Sequence, residues 1–280
     1  MPTSADQVDL HALLQTQDPD QRAAYHALSY HKRREDSIDW VEAARQKYTG
    51  PEEDFDDHCD KILTEWRIYE TNRFTTIRSK DGDGIGLGLF VCAARLNHSC
   101  KPNVFHRYNP LTGRMSIQTI RKIEKGEQLY TSYIDVCHPT AERRRILKYW
   151  GFDCACILCS CNDLTSNTRR KRIERLLDKL KKGEKRRADG KWLPRDCVQA
   201  LNLAIEVIGL MEEEGMSESD TTGITSKFAA EYCLVLKRWQ EALVWAQKTV
   251  EIELMCLGTD SKEYIRAHEL LEIAEKEASA

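Results

Sequence analysis

The sequence predicts an α+β protein, because its hydrophobic pattern changes twice along the chain. Residues 6–70 carry apolar side chains at helical spacing among many charges. Residues 82–152 form short apolar or β-branched runs that are broken by Gly, Asn and Pro, which is typical of strands. Residues 196–280 return to the helical pattern. With 280 residues, 41% of them hydrophobic and 31% charged, the chain is long enough for a folded protein of two domains.

The N-terminal segment, residues 1–81, is expected to be helical. Within it, Asp18, Pro19 and Asp20 form the kind of sequence that opens a helix, since Asp caps the free amides and Pro fits the first turn. The aromatic residues Trp40, Trp66 and Tyr69 indicate that one face of these helices is packed.

The central segment is expected to contain a hairpin and a further strand. The runs "NVFHRYN" and "RMSIQTI" flank Pro110 to Gly113, a composition typical of a turn between antiparallel strands. The run "EQLYTSYI", residues 127–134, follows the turn at "EKG" and predicts the next strand.

A basic run follows, with eleven Lys or Arg residues against three acidic ones in residues 169–187. Ile173, Leu176, Leu177 and Leu180 recur at helical spacing, which predicts an amphipathic helix with one buried stripe. Such a run can contact nucleic acid, but the interleaved leucines and the absence of aromatics favour a solvated outer face instead. Beyond it, Gly258 is expected to end one of the C-terminal helices.

The stretch "CACILCSC" holds four of the eleven cysteines. Cys154, Cys156 and Cys159 have a C-x-C-x2-C spacing that lets three thiolates converge on one ion, and zinc prefers four ligands in a tetrahedron. Spacing leaves the fourth ligand open among Cys161, Cys100, Cys137 and His138. A site made of thiolates has no open position for water, so its expected role is structural.

The second unusual stretch is "RLNHSCKPN", residues 95–103, which places Asn97, His98 and Ser99 between an apolar run and a Pro-Asn turn. Polar groups at the end of a buried strand need hydrogen-bond partners. One interpretation is a hydrogen-bonded turn, and a nucleophilic Cys–His pair is a weaker one, because adjacent side chains point apart.

These motifs together resemble a known family. In order, "RLNHSCKPN", "GEQLYTSYID" and "GFDCACILC" resemble the C-terminal half of a SET domain, in the branch that includes the SET and MYND proteins and fungal SET-only relatives. The last helices are similar to the tetratricopeptide-like helices that follow SET there. The resemblance implies five parts: a helical, insert-like segment at 1–81, a β-rich SET core at 82–136, a zinc-binding post-SET loop at 137–162, a basic linker at 163–195 and a helical domain at 196–280.

The family's activity is S-adenosylmethionine-dependent methylation of lysine in histones or other proteins. On matching positions, Asn97, His98 and Phe152 would contact the cofactor and Tyr133 would be catalytic. The remaining assignments that the resemblance implies are zinc ligands at Cys100, Cys154, Cys156 and Cys159, and a substrate channel at Tyr149 and Trp150.

The sequence also departs from the family pattern. No G-x-G strand that contacts the cofactor is found upstream of Gly82, and "GIGLGLF" matches the strand before the Asn-His motif instead. Trp150 stands where many relatives have a second tyrosine. The alternative function is therefore an inactive SET remnant that serves as a zinc-stabilised interaction module.

Partners and location follow from composition. The first 14 residues lack a basic start with an apolar run, and no window is apolar enough for a membrane span, so we expect a nuclear or cytoplasmic protein without membrane contact. The expected partners are a lysine-containing protein substrate and a protein bound by the C-terminal helices, with nucleic acid not a primary partner.

Overall fold

The computed structural model describes residues 6–32, 40–78, 85–161, 163–188 and 194–279. The chain divides into two units: the first consists of Met1–Leu96 with Lys148–Phe152, and the second of Asn97–Leu147 with Asp153–Ala280. None of the described helices is both long and apolar enough to cross a bilayer.

The described part of the first unit contains four α-helices and one pair of strands. They are α1 (Asp6–Gln15), α2 (Pro19–His26), α3 (Val41–Lys47), α4 (Phe55–Asn72), β1 (Arg73–Arg78) and β2 (Ile85–Leu89). The Asp18 carboxylate accepts a hydrogen bond from the Asp20 amide at the start of α2, which confirms the predicted helix entrance. Trp40 is buried against Phe55 and Ile62, as expected for a packed aromatic face.

β1 and β2 pair as an antiparallel ladder. β2 covers Ile85–Leu89 of "GIGLGLF", so most of this run forms a strand ahead of the Asn-His motif, while Gly84 lies outside the described residues. Gly88 lies opposite Phe74 in the ladder.

The second unit begins with four short strands. They are β3 (Asn97–His98), β4 (Val104–Asn109), β5 (Arg114–Thr119) and β6 (Tyr130–Thr131). β4 and β5 form the predicted hairpin, with Gly113 in the left-handed conformation at φ 68°. The strand expected over residues 127–134 is only two residues long, because β6 pairs with the equally short β3. The protein is thus mixed α and β, and its described strands form three two-stranded ladders.

Helices form the rest of the second unit. They are α5 (Thr140–Leu147), α6 (Ile157–Cys161), α7 (Leu164–Ala188), α8 (Pro194–Glu213), α9 (Asp220–Val235), α10 (Trp239–Leu257) and α11 (Lys262–Ser279). α7 to α11 share one apolar core, in which Leu201, Met211 and Tyr232 have no exposed surface. Gly258 caps α10 at φ 78°, where the sequence predicts the end of a helix.

The basic run forms α7, as predicted. Ile173, Leu176 and Leu180 are buried in the helical core and Leu177 packs partly against it. Several of its arginines pair with glutamates in or directly after neighbouring helices, namely Arg169 with Glu214 just after α8, Arg172 with Glu206 of α8 and Arg187 with Glu231 of α9. The buried stripe and these ion pairs attach α7 to the rest of the second unit.

The β4–β5 hairpin packs on the C-terminal helices. Phe105 and Ile120 contact the apolar cluster of Ile252, Cys256 and Leu257 on α10. Polar contacts add to this, since the Asn109 side chain donates to the carbonyl of Asp260 at 3.1 Å. The hairpin and the C-terminal helices are therefore parts of one folded unit.

Candidate active site and four-sulfur centre

The candidate site is organised by a parallel pair of two-residue strands. Asn97 lies opposite Tyr130 and His98 opposite Thr131, although about thirty residues separate the strands in sequence. The Ser99 amide extends the pairing by donating to the carbonyl of Thr131 at 2.9 Å. Parallel strands need a long connection, and here the β4–β5 hairpin supplies it. The Asn-His motif is thereby placed beside the chain that leads to Tyr133.

Asn103 stabilises the crossing of the chain at which β3 pairs with β6, and it has no exposed surface. Its amide donates to the Tyr130 carbonyl at 3.0 Å, and its side-chain oxygen accepts from the Tyr130 amide at 2.7 Å. Its side-chain nitrogen donates to the Gln128 carbonyl and to a carboxylate oxygen of Glu127. One buried side chain thus satisfies several groups that precede Tyr133.

His98 contacts the chain of Tyr133 directly. The Tyr133 amide donates to Nδ1 of His98 at 3.1 Å, and the two rings lie 5.4 Å apart. Burial, with a further contribution from Arg143, lowers the pKa of His98 to about 4, so the ring is neutral at pH 7. Because Nδ1 accepts, the ring proton lies on Nε2, which faces Cys100 Sγ at 3.3 Å.

Asn97 and Tyr133 present the groups that could meet ligands. The Asn97 side chain is exposed, and its carboxamide has no hydrogen-bond partner within the described ranges. Tyr133 is half-buried, and burial raises the pKa of its phenol, so the hydroxyl stays protonated at neutral pH. A free carboxamide can hold a polar ligand, and a protonated phenol can orient a nucleophile.

Four cysteine sulfurs meet next to His98. The Sγ atoms of Cys100, Cys154, Cys156 and Cys159 all lie within 4.8 Å of one another. Cys100 Sγ lies 3.6 Å from Cys159 Sγ and 4.0 Å from Cys154 Sγ. Four thiolates at zinc–sulfur distances of about 2.3 Å in a tetrahedron lie about 3.8 Å apart. The four residues thus fit a tetrahedral thiophilic ion without large rearrangement.

The thiols of this group differ in acidity. Burial raises the pKa of Cys100 well above its ordinary range and that of Cys154 to about 11. Burial also acts to raise the pKa of Cys156, but hydrogen bonds from the amides of Cys159 and Cys100 outweigh it and lower this pKa to about 7. Thiolate is the ligating form, so the group contains one thiol that ionises near neutral pH.

The other candidate ligands lie outside the group. Cys161 is exposed at the end of α6. Cys137 is buried in the helical core, and its amide donates to Asp135. His138 pairs through Nδ1 with Glu174 of α7. Among the described residues, the convergent set is therefore Cys100 with the C-x-C-x2-C cysteines.

Arg143 of α5 reaches the same sulfurs from the interior, with an exposure of 1%. Its Nε donates to Cys100 Sγ at 3.2 Å, and its Nη2 lies 3.8 Å from Cys159 Sγ. Burial acts to lower the pKa of Arg143, but its interactions and hydrogen bonds with Cys100 and Cys159 outweigh this effect and raise the pKa above its ordinary value. The guanidinium is therefore charged where it meets the sulfurs.

The remaining sequence-predicted residues belong to the first unit. Phe152 is half-buried there. The Tyr149 hydroxyl bonds the Glu70 carboxylate at 3.2 Å, and the Trp150 indole donates to the Thr71 carbonyl at 3.1 Å. The Trp150 indole nitrogen is thus hydrogen-bonded to the last turn of α4. A tyrosine at this position would have to make the same hydrogen bond through its hydroxyl.

Two residues at the site were not assigned a role from sequence, Asn103 and Arg143. Asn103 lies in the Pro-Asn turn at the end of the Asn-His motif, and its position directly before an apolar strand is a signal for a buried polar contact. Arg143 belongs to a run of three arginines, and only burial distinguishes it from its neighbours.

Comparison with known proteins places the site in context. The family model for the SET domain matches residues 11–134, so the match includes the N-terminal helices as well as Asn97, His98 and Tyr133. The chain is similar to "Histone-lysine N-methyltransferase set5" of Schizosaccharomyces pombe, with 29% identity over 66% of this chain and 56% of that protein.

Two further relatives are animal proteins. "N-lysine methyltransferase SMYD2-B" of Danio rerio is 34% identical over 45% of this chain and 29% of its own length. "Histone-lysine N-methyltransferase SMYD3" of Mus musculus is 29% identical over 63% of this chain and 40% of its own length. The chain thus spans between 29% and 56% of the length of these relatives. The resemblance to SET-domain lysine methyltransferases seen in the sequence motifs is confirmed.

Proposed function

We propose that this SET-domain chain is a protein-lysine N-methyltransferase that uses S-adenosylmethionine and acts on histones or other proteins. The observation that carries the proposal is the pairing of β3 with β6, which places Asn97 and His98 beside the segment that ends in Tyr133. These are the positions that match the family's cofactor-binding and catalytic residues. The relatives named as lysine methyltransferases support the same reaction.

The cofactor side of the site is assigned to Asn97, His98 and Phe152. The exposed Asn97 carboxamide offers both a donor and an acceptor without giving up an internal hydrogen bond. His98 stays neutral and keeps its ring engaged on both nitrogens, so it contributes shape and main-chain groups without a charge that would repel a cation. Phe152 would add an aromatic surface for the adenine.

The chemistry makes limited demands on the protein. S-adenosylmethionine supplies an activated sulfonium methyl group, so the transfer is an in-line displacement that depends on positioning. The attacking lysine amine must be neutral, which costs about 4.6 kcal/mol at pH 7 for a pKa of about 10.4. Partial burial of Tyr133 favours a neutral amine beside it, and its protonated hydroxyl can orient that amine. Tyr149 and Trp150 are proposed to line the substrate channel.

The four-sulfur centre is proposed to hold zinc as a structural ion. Its sulfur–sulfur distances suit tetrahedral thiolate coordination, and a centre with four protein ligands keeps no position open for substrate. Because Cys100 directly follows the Asn-His-Ser sequence, zinc held there would fix the cofactor segment as well as the post-SET loop.

Cofactor binding is the first test. Calorimetry of the zinc-loaded protein with S-adenosylmethionine is expected to give micromolar affinity that is lost in Asn97→Ala. Asn202→Ala, on the exposed face of α8, is the matched control and should bind as the wild type does. A folded, zinc-loaded wild type that binds no cofactor would contradict the proposal and favour an interaction module.

Methyl transfer is the second test. Wild type and Tyr133→Phe are compared with radiolabelled S-adenosylmethionine on histones and on cell extract. We expect Tyr133→Phe to lose at least about 100-fold in rate while it retains cofactor affinity, because the loss affects orientation in the transfer step. Equal labelling by both proteins would remove Tyr133 from the catalytic role. The proposed location is the nucleus or cytoplasm, where such substrates occur.

A further inference from the structure

Arg143 is fully engaged in the interior, beside sulfur atoms on two sides. Nε donates to Cys100 Sγ at 3.2 Å, and Nη2 lies 3.8 Å from Cys159 Sγ. These two cysteines are 59 residues apart in sequence, and one planar guanidinium contacts both. A hydrogen bond to sulfur is ordinarily weak, but a charged donor to a thiolate is strengthened by its charge.

The remaining donors of Arg143 fix the orientation of the guanidinium. Nη1 donates to the carbonyl of His138 at 2.5 Å, and Nη2 donates to the Thr140 hydroxyl at 3.1 Å. Thr140 is the first residue of α5, and His138 lies two residues before it. Since the planar fork is anchored on its outer edge, its sulfur-facing edge has little freedom to turn away.

The contact between Arg143 and the sulfurs compensates negative charge at the site. Four thiolates with one divalent ion carry a net charge of −2, and a buried net charge is costly unless it is compensated. Cys100, Cys154 and Cys159 are all buried. The guanidinium supplies one positive charge in contact with two of these sulfurs, so it offsets half of that net charge.

Cys100 receives a second donor. Nε2 of neutral His98 lies 3.3 Å from the same sulfur that Arg143 contacts. The Nδ1 atom of that imidazole accepts from the Tyr133 amide. One sulfur therefore joins the guanidinium, the imidazole and, through it, the segment of the proposed catalytic tyrosine.

We propose that Arg143 is a positioning residue of the four-sulfur centre. By donating hydrogen bonds to Cys100 and Cys159 and compensating the negative charge of their thiolates, Arg143 raises the affinity of the centre for zinc. The inference rests on the zinc site of the proposed function. It adds a residue outside the coordination sphere, which is not a ligand and does not touch the reacting groups. Residues in such positions commonly change metal affinity by about 10- to 100-fold.

α5 supplies a matched control. Arg145, two residues further on, has 71% of its side chain exposed and pairs with Glu142 on the same helix. Arg144 donates to the Cys159 carbonyl at 2.8 Å and contacts the loop without contacting a sulfur. Arg143→Gln and Arg145→Gln thus remove the same charge from one helix, but only the first removes donors to sulfur.

The experiment measures zinc affinity by competition with a chromophoric chelator in the full chain. We expect Arg143→Gln to lose about 10- to 100-fold in affinity, Arg143→Lys to recover part of the loss through its charge, and Arg145→Gln to match the wild type. Circular dichroism of each variant verifies the helical content.

Replacing zinc by cobalt provides a spectroscopic signal that a general loosening of the fold would not shift. The thiolate-to-cobalt charge-transfer band reports the energy of the sulfur lone pairs, which hydrogen bonds lower. Loss of the Arg143 donors should shift this band to longer wavelength in Arg143→Gln, while Arg145→Gln keeps the wild-type band.

Equal zinc affinity and equal cobalt spectra in wild type and Arg143→Gln would overturn the inference. If Arg143→Gln does not fold, equal affinity and spectra in wild type and Arg143→Lys would do so. Neither measurement needs a methyl donor or acceptor, so a chain that binds zinc but transfers no methyl group leaves this inference standing. A wild type without zinc affinity contradicts both the inference and the zinc site of the proposed function.

Discussion

The Tyr133 amide donates a hydrogen bond to Nδ1 of His98 at 3.1 Å, across 35 residues of sequence. The opposite nitrogen of the same ring lies 3.3 Å from Cys100 Sγ. His98 is 8% exposed and neutral, so it links the tyrosine segment to the sulfur group through its two nitrogens. Each ring nitrogen thus has its own partner, Nδ1 the Tyr133 amide and Nε2 the Cys100 sulfur, and substitutions of His98 can remove one contact while keeping the other.

Replacing His98 by Asn or Gln should distinguish the two roles. The amide of Asn reaches the position of Nδ1, whereas that of Gln reaches the position of Nε2. We expect His98→Gln to increase the hydrogen-exchange rate of the Tyr133 amide at least about 10-fold, and His98→Asn to keep most of its protection. Residue-resolved exchange by NMR measures both, and similar rates in the two variants would contradict the assigned hydrogen bond.

Removal of Cys100 should impair the metal site more than removal of Cys161. Cys100 Sγ lies among the four convergent sulfurs, and Cys161 is exposed outside them. We expect Cys100→Ser to lower bound zinc and the melting temperature, because structural zinc sites contribute directly to folding. Cys161→Ser should retain the wild-type zinc content, measured by atomic emission after gel filtration. Loss of zinc only in Cys161→Ser would indicate a local knuckle without Cys100.

Asn103→Ala should destabilise the fold by about 2–4 kcal/mol. The substitution leaves the Tyr130 amide and the Gln128 carbonyl, whose hydrogen bonds to Asn103 are partly buried, without their side-chain partner, and each group left unsatisfied away from water costs about 1–3 kcal/mol. Urea unfolding followed by circular dichroism measures the change. Asn202→Ala on the exposed face of α8 should change stability by less than about 0.5 kcal/mol. An equally small effect at Asn103 would show that the crossing is held by other contacts.

Glu253 of α10 makes stability depend on pH. It is 4% exposed, and its Oε2 has no hydrogen-bond partner among the residues the structure describes. Burial, followed by the nearby carboxylates of Asp220 and Glu263, raises its pKa from 4.5 to about 7. The folded protein therefore retains a proton that the unfolded chain releases at lower pH.

The stability that this proton supports is fully present below the unfolded pKa of 4.5 and is lost as pH rises to about 7. Glu253→Gln removes the titration, so its stability relative to the wild type should increase by on the order of 3 kcal/mol between about pH 4.5 and pH 8. Urea unfolding at both pH values measures the difference. Exposed Glu251→Gln on the same helix should differ from the wild type by less than about 0.5 kcal/mol at each pH. A pH-independent effect of Glu253→Gln would contradict the raised pKa.

Local patterns predicted much of the fold. Helical spacing identified α7 and its buried stripe, the Asp-Pro-Asp sequence identified the start of α2, and Pro110 to Gly113 identified the hairpin turn. These features depend on side chains within about one turn or one hairpin of each other. The predicted strand over residues 127–134 proved too long, because the length of a strand depends on its partner, and β3 offers only two residues.

The sequence by itself determined that three cysteines can converge, since C-x-C-x2-C spacing brings Cys154, Cys156 and Cys159 together in any tight loop. Local spacing left the fourth member open, and the family resemblance pointed to Cys100. Only the tertiary structure places Cys100 Sγ among the others, 54 residues from Cys154, and buries Arg143 against it. Such contacts depend on how β3 pairs with β6 and where α5 packs, which no short-range periodicity encodes.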